Sequence, residues 1–292
     1  MQYQSIDLHV HSSCSDGTYT PSRLADYAAG KGLAAFALTD HDTIQGLSEA
    51  SLAASRYGIE LVPGIEFSTA YKGRDVHILG YDFDPNQAGF SSALSSFQKS
   101  RDARNEEMAH LLRQKGGFDV TVSALHDAYG ADTVITRAHF GRWLFENGYV
   151  SSISEAFDRY LGDHAPCFVP RTLSSPEDAV RLIRNAGGIP VLAHPLLYRL
   201  SSDALEELVC KLMEYGLLGI EAVYSTYTAG EEKKMRRLAE KYHLAISGGS
   251  DFHGKNKPHI DLGVGRGNLK IPLSVLEKLR VKKTAFCQKS AL

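Results

Sequence analysis

Ile6-Asp7-Leu8-His9-Val10-His11 is an apolar run that alternates with polar residues and ends on two histidines. Alternation with a period of two marks a strand, and it puts His9 and His11 on one face, where they can share a cation. Further runs of strand length follow: AAFALTD at 34–40, ELVPGIEFS at 60–68, DVHILGY at 75–81, GIPVLAHP at 188–195, GIEAVYS at 219–225 and LAISGGSDFH at 244–253. Helical patterns separate most of them. Thr20-Pro21 reads as an N-cap and first helical residue, Leu24, Tyr27, Ala28 and Lys31 keep helical spacing, and Gly32 is a stop. Leu47, Ala50 and Ala54 share a face before Gly58, and Ser175-Pro176-Glu177-Asp178 opens Ala179, Leu182, Ile183 and Ala186 before Gly187-Gly188. Repeated strand–helix units predict an α/β chain with a mainly parallel sheet or a barrel.

From Asp84-Pro85 to about Ala165-Pro166 the pattern turns helical, with a long helix over 87–115 and another over 136–147. The expected organisation is a barrel domain made of residues 1–84 and 166–292, with residues 85–165 inserted as a helical subdomain. On the long helix, Lys99, Arg101, Arg104, Glu106 and Glu107 read as a solvated charged face. Residues 272–292 read as a helix plus an edge segment.

Composition excludes several classes of protein. Of 292 residues, 43% are hydrophobic and 23% charged, which is ordinary globular usage and rules out a disordered or collagen-like chain. Lys plus Arg number 32 against 34 Asp plus Glu, a net charge of -2, so no global basic field exists to hold duplex DNA. Cys14, Cys167, Cys210 and Cys287 form no Cys-x-x-Cys pair, which argues against a thiolate zinc site or a disulfide scaffold. The start shows no signal-peptide pattern and no run approaches membrane-spanning length, so the expected location is the cytoplasm, with no membrane partner.

Metal-binding residue types recur at the ends of the strand-like runs, where a barrel of parallel strands carries its functional face. His9 and His11 lie on the first run and Asp16 just beyond it. His41 ends the second, Glu66 the third, His77 opens the fourth, His194 ends the fifth, and Asp251 and His253 end the last. One His-x-His is weak evidence, since packing histidines are common. Six imidazoles and three carboxylates at corresponding positions are another matter, because burying that many ionisable groups without cations is costly. This donor set suits Mn(II), Fe(II) or Zn(II) better than Mg(II), which favours all-oxygen octahedra. Closely spaced cations neutralise phosphate oxygens and acidify water, so phosphoester hydrolysis is the expected chemistry. Asp40 and Asp42 read either as carboxylates that orient an imidazole or, for Asp42, as a helix cap. Cys14 reads as a small loop filler.

His9-x-His11, Asp16, Thr39-Asp40-His41, Gly64-Ile65-Glu66, His77, Ala193-His194-Pro195 and Ser250-Asp251-Phe252-His253 together resemble the polymerase and histidinol phosphatase (PHP) family across nearly the whole chain. The resemblance implies a distorted (β/α)7 barrel holding three divalent cations, with manganese or iron preferred and zinc the alternative. It implies that His9, His11, Glu66 and Asp251 hold one cation. Glu66 would bridge to a second held by His77 and His194, and Asp16, His41 and His253 would hold the third. The nucleophile implied is a metal-bound hydroxide held by Glu66, Asp251 and His194.

Ile135-Thr136-Arg137-Ala138-His139-Phe140-Gly141-Arg142 and Ala156-Phe157-Asp158-Arg159-Tyr160-Leu161 resemble a branch acting on 3′,5′-bisphosphonucleosides, 5′-mononucleotides and the 5′ ends of short RNA. Arg137 and His139 are the expected phosphate contacts, since a guanidinium fork matches phosphate geometry. Tyr198 is a further substrate candidate. Many relatives in the branch read Gly-Arg-Tyr after His-Pro where this chain has Leu196-Leu197-Tyr198, so an arginine is missing and Arg199 or Arg171 is left to substitute. Histidinol phosphate or cyclic phosphates are the alternative substrates, and a non-catalytic metal-binding module is the alternative of another class. The expected partners are phosphorylated small molecules, nucleotides or short single-stranded RNA; the sequence leaves Glu221 unassigned and oligomeric state open.

Overall fold

A computed structural model describes residues 4–163, 165–170 and 175–290. Seven strands form one sheet in sequence order: β1 (Ile6–Val10), β2 (Ala35–Leu38), β3 (Glu60–Tyr71), β4 (Arg74–Tyr81), β5 (Ile189–Leu192), β6 (Gly219–Tyr224) and β7 (Ala245–Gly249). β1, β2 and β3 pair in parallel, as do β5, β6 and β7, whereas β4 runs antiparallel to both neighbours. The sheet is thus mainly parallel, as the repeated strand–helix units predict, with one reversed strand. The cause of the reversal is the two-residue turn Lys72-Gly73, with φ of 49° and 75°, a pair of left-handed conformations that joins antiparallel strands.

No ladder joins β1 to β7, so the sheet is a nearly closed barrel with one seam. At one end of the seam Asp251 N–H donates to His9 O at 2.9 Å and His11 N–H to Phe252 O at 3.0 Å. At the other, Ile6 N–H donates to Ile271 O at 2.9 Å and Leu273 N–H to Gln4 O at 3.0 Å.

Around the sheet lie α1 (Pro21–Gly30) and α2 (Leu47–Ser55), then α3 (Phe90–Leu111), α4 (Val122–Tyr129), α5 (Arg137–Glu146) and α6 (Ile153–Ala156). They are followed by α7 (Pro176–Asn185), α8 (Ser202–Glu214), α9 (Ala229–Lys241) and α10 (Ser274–Ser290). Thr20 caps α1 by accepting from Arg23 N–H, and Ser175 caps α7 by accepting from Asp178 N–H, each with proline in the first turn. Leu24, Ala25 and Ala28 of α1 pack with Ala50 and Ala53 of α2 against Phe36 and Leu38 of β2. Val180 and Ile183 of α7 and Leu208 and Leu212 of α8 join Ile65, Ile78 and Ile220 of the strands in another core. Leu276 and Leu279 of α10 pack with Ile6, Leu79 and Val191.

The 90–161 segment is helical throughout its described elements and builds its own core from Met108, Leu112, Leu125, Phe140, Leu144 and Leu161. No helix among the described residues is long and apolar enough to cross a membrane.

Candidate active site

The nine candidate metal ligands converge at one end of the barrel, though they enter it by different routes. His9 on β1 and His11 just past its end alternate with Leu8 and Val10, and all four are fully buried. Asp16 sits on the following loop, which Asp40 pins by accepting from Ser12 N–H at 2.7 Å, Ser12 Oγ at 2.5 Å and Ser15 Oγ at 2.6 Å. His77 comes from within β4 rather than from its start. His194 and Asp251 follow β5 and β7 in left-handed backbone, with φ of 23° and 57°. Such conformations in residues other than glycine concentrate where function demands a particular side-chain direction. Gly249 lets β7 approach β1 closely: a Cβ there would lie 2.2 Å from His9 Cβ.

Glu66 is the centre of the cluster. Its Oε1 lies 2.9 Å from His77 Nδ1, 3.1 Å from His194 Nε2 and 3.4 Å from His9 Nε2. Its Oε2 lies 3.1 Å from His41 Nδ1 and 3.3 Å from His11 Nε2. Asp251 Oδ1 approaches His253 Nδ1 at 3.3 Å, His11 Nε2 at 3.4 Å and His9 Nε2 at 3.6 Å. Asp16 Oδ1 is 3.1 Å from His253 Nε2, and its Oδ2 is 3.7 Å from His41 Nε2. Burial opposes charge on Glu66, yet the histidines around it, led by His77, His41 and His9, hold its carboxyl well below the usual range. Burial likewise opposes charge on His11, but the carboxylates of Asp251 and Glu66 beside it push the imidazole up to about 9.

Such a charge-rich knot invites cations. Ligand atoms gather into four overlapping groups: His11-Asp16-His41-His253, His9-His11-Asp251, His9-Glu66-His194 and His41-Glu66-His77. His9 Nε2, both ring nitrogens of His11, Asp16 Oδ1 and His194 Nδ1 are buried without a hydrogen-bond partner. Unpaired buried donors and acceptors of this kind are rare in folded proteins and destabilising. These nitrogens and oxygens match the donor types of Mn(II), Fe(II) or Zn(II), so the residues present fit the group that the sequence implies.

Around this cluster lies a second layer that the sequence did not assign. Glu221, fully buried on β6, meets His9 Nδ1 at 3.0 Å through Oε1 and accepts from His194 N–H at 2.7 Å through Oε2. A carboxylate on one ring nitrogen fixes the tautomer and turns the other nitrogen inward. Tyr224 Oη donates to Asp251 Oδ2 at 2.5 Å, and Lys257 Nζ reaches the same oxygen at 2.5 Å.

Arg101 and Arg104 overturn the expectation of a solvated face, since they are 1% and 4% exposed. Arg101 donates to Asp42 Oδ2 from Nε at 2.9 Å and Nη2 at 2.6 Å, and to Ser68 Oγ at 2.8 Å. α3 packs its charged stripe on the barrel because Asp42 waits there, itself fully buried. Asp42 is therefore not the cap of α2, which Gly46 precedes. It accepts from Ser68 N–H at 2.8 Å, and Ser68 Oγ lies 3.2 Å from His41 Nδ1. Cys14 stays a loop residue, its thiol pushed up to about 11 by burial.

A cavity of about 480 Å³ opens over the cluster, bordered by Arg101, Arg104, Arg137, Tyr224 and Lys257. Arg137 lines it, with its guanidinium on Asp75 at 2.7 Å and Asp163 at 3.3 Å. Two other expected substrate contacts are not there. His139 Nδ1 accepts from Thr136 N–H at 3.0 Å, so the side chain caps α5, while Thr136 Oγ1 donates to Asp16 Oδ2 at 2.9 Å. Tyr198 is buried, its hydroxyl held by the backbone of His77 and Ala193. Arg199 is exposed and does not border the cavity. Arg171 lies outside the described residues.

The PHP domain family matches residues 7–178 of the chain. A 5′-3′ exoribonuclease of Haemophilus influenzae is 36% identical over 271 residues, covering 88% of this chain and 96% of that one. A 3′,5′-nucleoside bisphosphate phosphatase of Chromobacterium violaceum is 35% identical over 259 residues, covering 89% and 90%. Among solved structures, an amidohydrolase from Chromobacterium violaceum with bound sulfate superposes with a TM-score of 0.85 at 33% identity, covering 95% and 96%. With the family matched over more than half its length and its relatives over nearly all of it, this chain belongs to the PHP family.

Proposed function

We propose that the chain is a metal-dependent phosphoesterase acting on nucleotides (3′,5′-bisphosphonucleosides and 5′-mononucleotides) or on the 5′ ends of short RNA. One observation carries the reading: Glu66 stands within 3.4 Å of ring nitrogens from five histidines, on a floor that opens into a cavity bordered by cationic side chains. The exoribonuclease and bisphosphate phosphatase relatives support the choice of substrate class.

We assign three divalent cations, Mn(II) or Fe(II) before Zn(II), to His9, His11, Asp16, His41, Glu66, His77, His194, Asp251 and His253. Bound there, they would supply Lewis acidity, neutralising phosphate oxygens and acidifying water. The protein's own share is positioning. Glu221 sets the His9 ring, and Asp42 and Arg101 set Ser68 against His41. Arg104, Arg137 and Lys257 line the approach with positive charge, which draws a phosphate to the floor and orients it. Residues 85–165 act as the inserted helical subdomain that supplies Arg101, Arg104 and Arg137 to this wall. All four cysteines are free thiols, which suits the reducing cytoplasm.

The test is phosphate release by Mn(II)-loaded protein from adenosine 3′,5′-bisphosphate, AMP, a 5′-phosphorylated oligoribonucleotide and histidinol phosphate side by side. Preference for the nucleotides or RNA is expected. Turnover of histidinol phosphate alone would refute the substrate assignment, and silence on all four with metal bound would refute the phosphoesterase reading for these esters.

A further inference from the structure

The cavity over the cluster is not polar on every side. Ile153 and Phe157 border it from the helical segment and Leu197 from the turn after β5. Leu197 is 49% exposed although it is a large apolar residue. The placing of the pair from the helical segment has a local cause. Ile153 opens α6 and Phe157 lies one turn on, where the α-helix gives way to the π-helical turn Phe157–Leu161. Such turns reset the direction of the side chains that follow and recur at functional sites. Beneath them on α5 lies Gly141, where a Cβ would come 3.1 Å from Phe157 Cε2 and 3.4 Å from Ile153 Cγ2. The missing side chain lets both residues settle onto α5.

Several aromatic residues of the segment are in ring contact, Phe118 with Tyr149 and Tyr160, and Trp143 with Tyr149. Among the described residues the ring of Phe157 has no aromatic partner of this kind, and it borders a cavity whose floor is ionic. Apolar surface in a cleft, beside a few convergent polar groups, marks where the non-reacting part of a ligand is bound. A phosphate ester whose phosphate sits over the cluster, among the cationic side chains of the wall, has the rest of the same 480 Å³ for its remaining bulk. For a nucleotide that bulk ends in a flat ring system with a π-face, which stacks on an aromatic side chain irrespective of base identity.

We propose that Ile153, Phe157 and Leu197 form an apolar subsite that holds the nucleobase of a nucleotide whose phosphate lies at the histidine–carboxylate cluster. The subsite rests on the phosphoesterase reading above and adds to it a preference for esters carrying a base over the same sugar phosphate without one. The experiment compares AMP with ribose 5-phosphate, both as ligands in calorimetry on the full chain and as substrates of the Mn(II)-loaded enzyme. Phe157→Ala should weaken AMP binding and raise its KM about tenfold, in line with the loss of one base–aromatic stack, while leaving ribose 5-phosphate unchanged. Phe157→Trp should restore AMP. Leu197→Asn, at an exposed position, should weaken AMP selectively and keeps the comparison decisive if Phe157→Ala does not fold. Equal losses for both ligands, or no change for AMP, would overturn the subsite. If the wild type hydrolyses neither ester, the phosphoesterase reading fails, and the calorimetry alone decides the subsite.

Discussion

Replacing Arg101 with methionine separates the two accounts of this residue. A solvated lysine-and-arginine face would tolerate the change within about 0.5 kcal/mol. The structure predicts otherwise. Arg101 is 1% exposed and Asp42 0%, joined by two hydrogen bonds of 2.9 and 2.6 Å, with a third to Ser68 Oγ at 2.8 Å. Methionine keeps most of the packing volume but takes the Arg101 charge and its two hydrogen bonds away from the buried Asp42 carboxylate. Breaking a buried ion pair from one side costs about 3–5 kcal/mol, most of it the stranded charge rather than the lost bonds. Urea denaturation of the metal-free protein, followed by circular dichroism, should therefore show a midpoint lower by about 1 M or more, given a denaturant slope of roughly 3 kcal/mol per M. Asp42→Asn in the Arg101→Met background should recover part of the loss, because the remaining partner is then neutral. A single-variant loss below about 1 kcal/mol, or a double variant with purely additive losses, would refute the claim that the pair is buried and coupled.

His194→Ala should lower the metal content measured by mass spectrometry and reduce phosphate release about 100-fold or more, with the circular dichroism spectrum unchanged; full metal content with retained turnover would remove His194 from the cluster's function. Arg137→Ala should raise KM for nucleotides several-fold with kcat nearly held, since the guanidinium lies in the cavity wall and not on the floor; an unchanged kcat/KM would exclude it from substrate capture. His139 is held down to about 4, chiefly by burial, so between about pH 6.5 and pH 4 the unfolded chain binds a proton that the folded chain refuses. Stability from this residue is complete above about pH 6.5 and falls by roughly 3 kcal/mol as pH drops through the window. Melting curves of His139→Gln should have a flatter pH dependence there than the wild type, and parallel curves would refute the assignment.

Much of the site was legible because its ligands belong to strand ends, and strand ends are marked by local apolar runs. His9-x-His11 on β1 and Ser250-Asp251-Phe252-His253 after β7 needed no knowledge of the partner strand. The antiparallel β4 also had its signal, Lys72-Gly73 between two apolar runs, a gap too short to hold a crossover helix. Arg101 had none. Its counter-charge Asp42 lies 59 residues away, and a cationic stripe on a helix reads alike whether it meets water or a buried carboxylate. Glu221 was equally silent, since its meaning depends on His9 and on the backbone of His194 in other strands. His139 and Tyr198 misled for the opposite reason. Their polar atoms suggested ligands, but the nearby backbone holds His139 Nδ1 and the Tyr198 hydroxyl.

The open seam between β1 and β7 bears on when the protein can begin to work. Residues 4–11 leave the ribosome well before their partners at 249–273, which come about 240 residues later. At typical synthesis rates that interval is roughly 12 to 50 s. Throughout it His9 and His11 exist without Asp251 and His253, so no nascent chain short of the last strand can assemble the full donor set. Contacts this distant along the chain also tend to form late in folding. The placement of candidate ligands on both sides of the seam thus makes the assembly of the cluster coincide with the completion of the barrel.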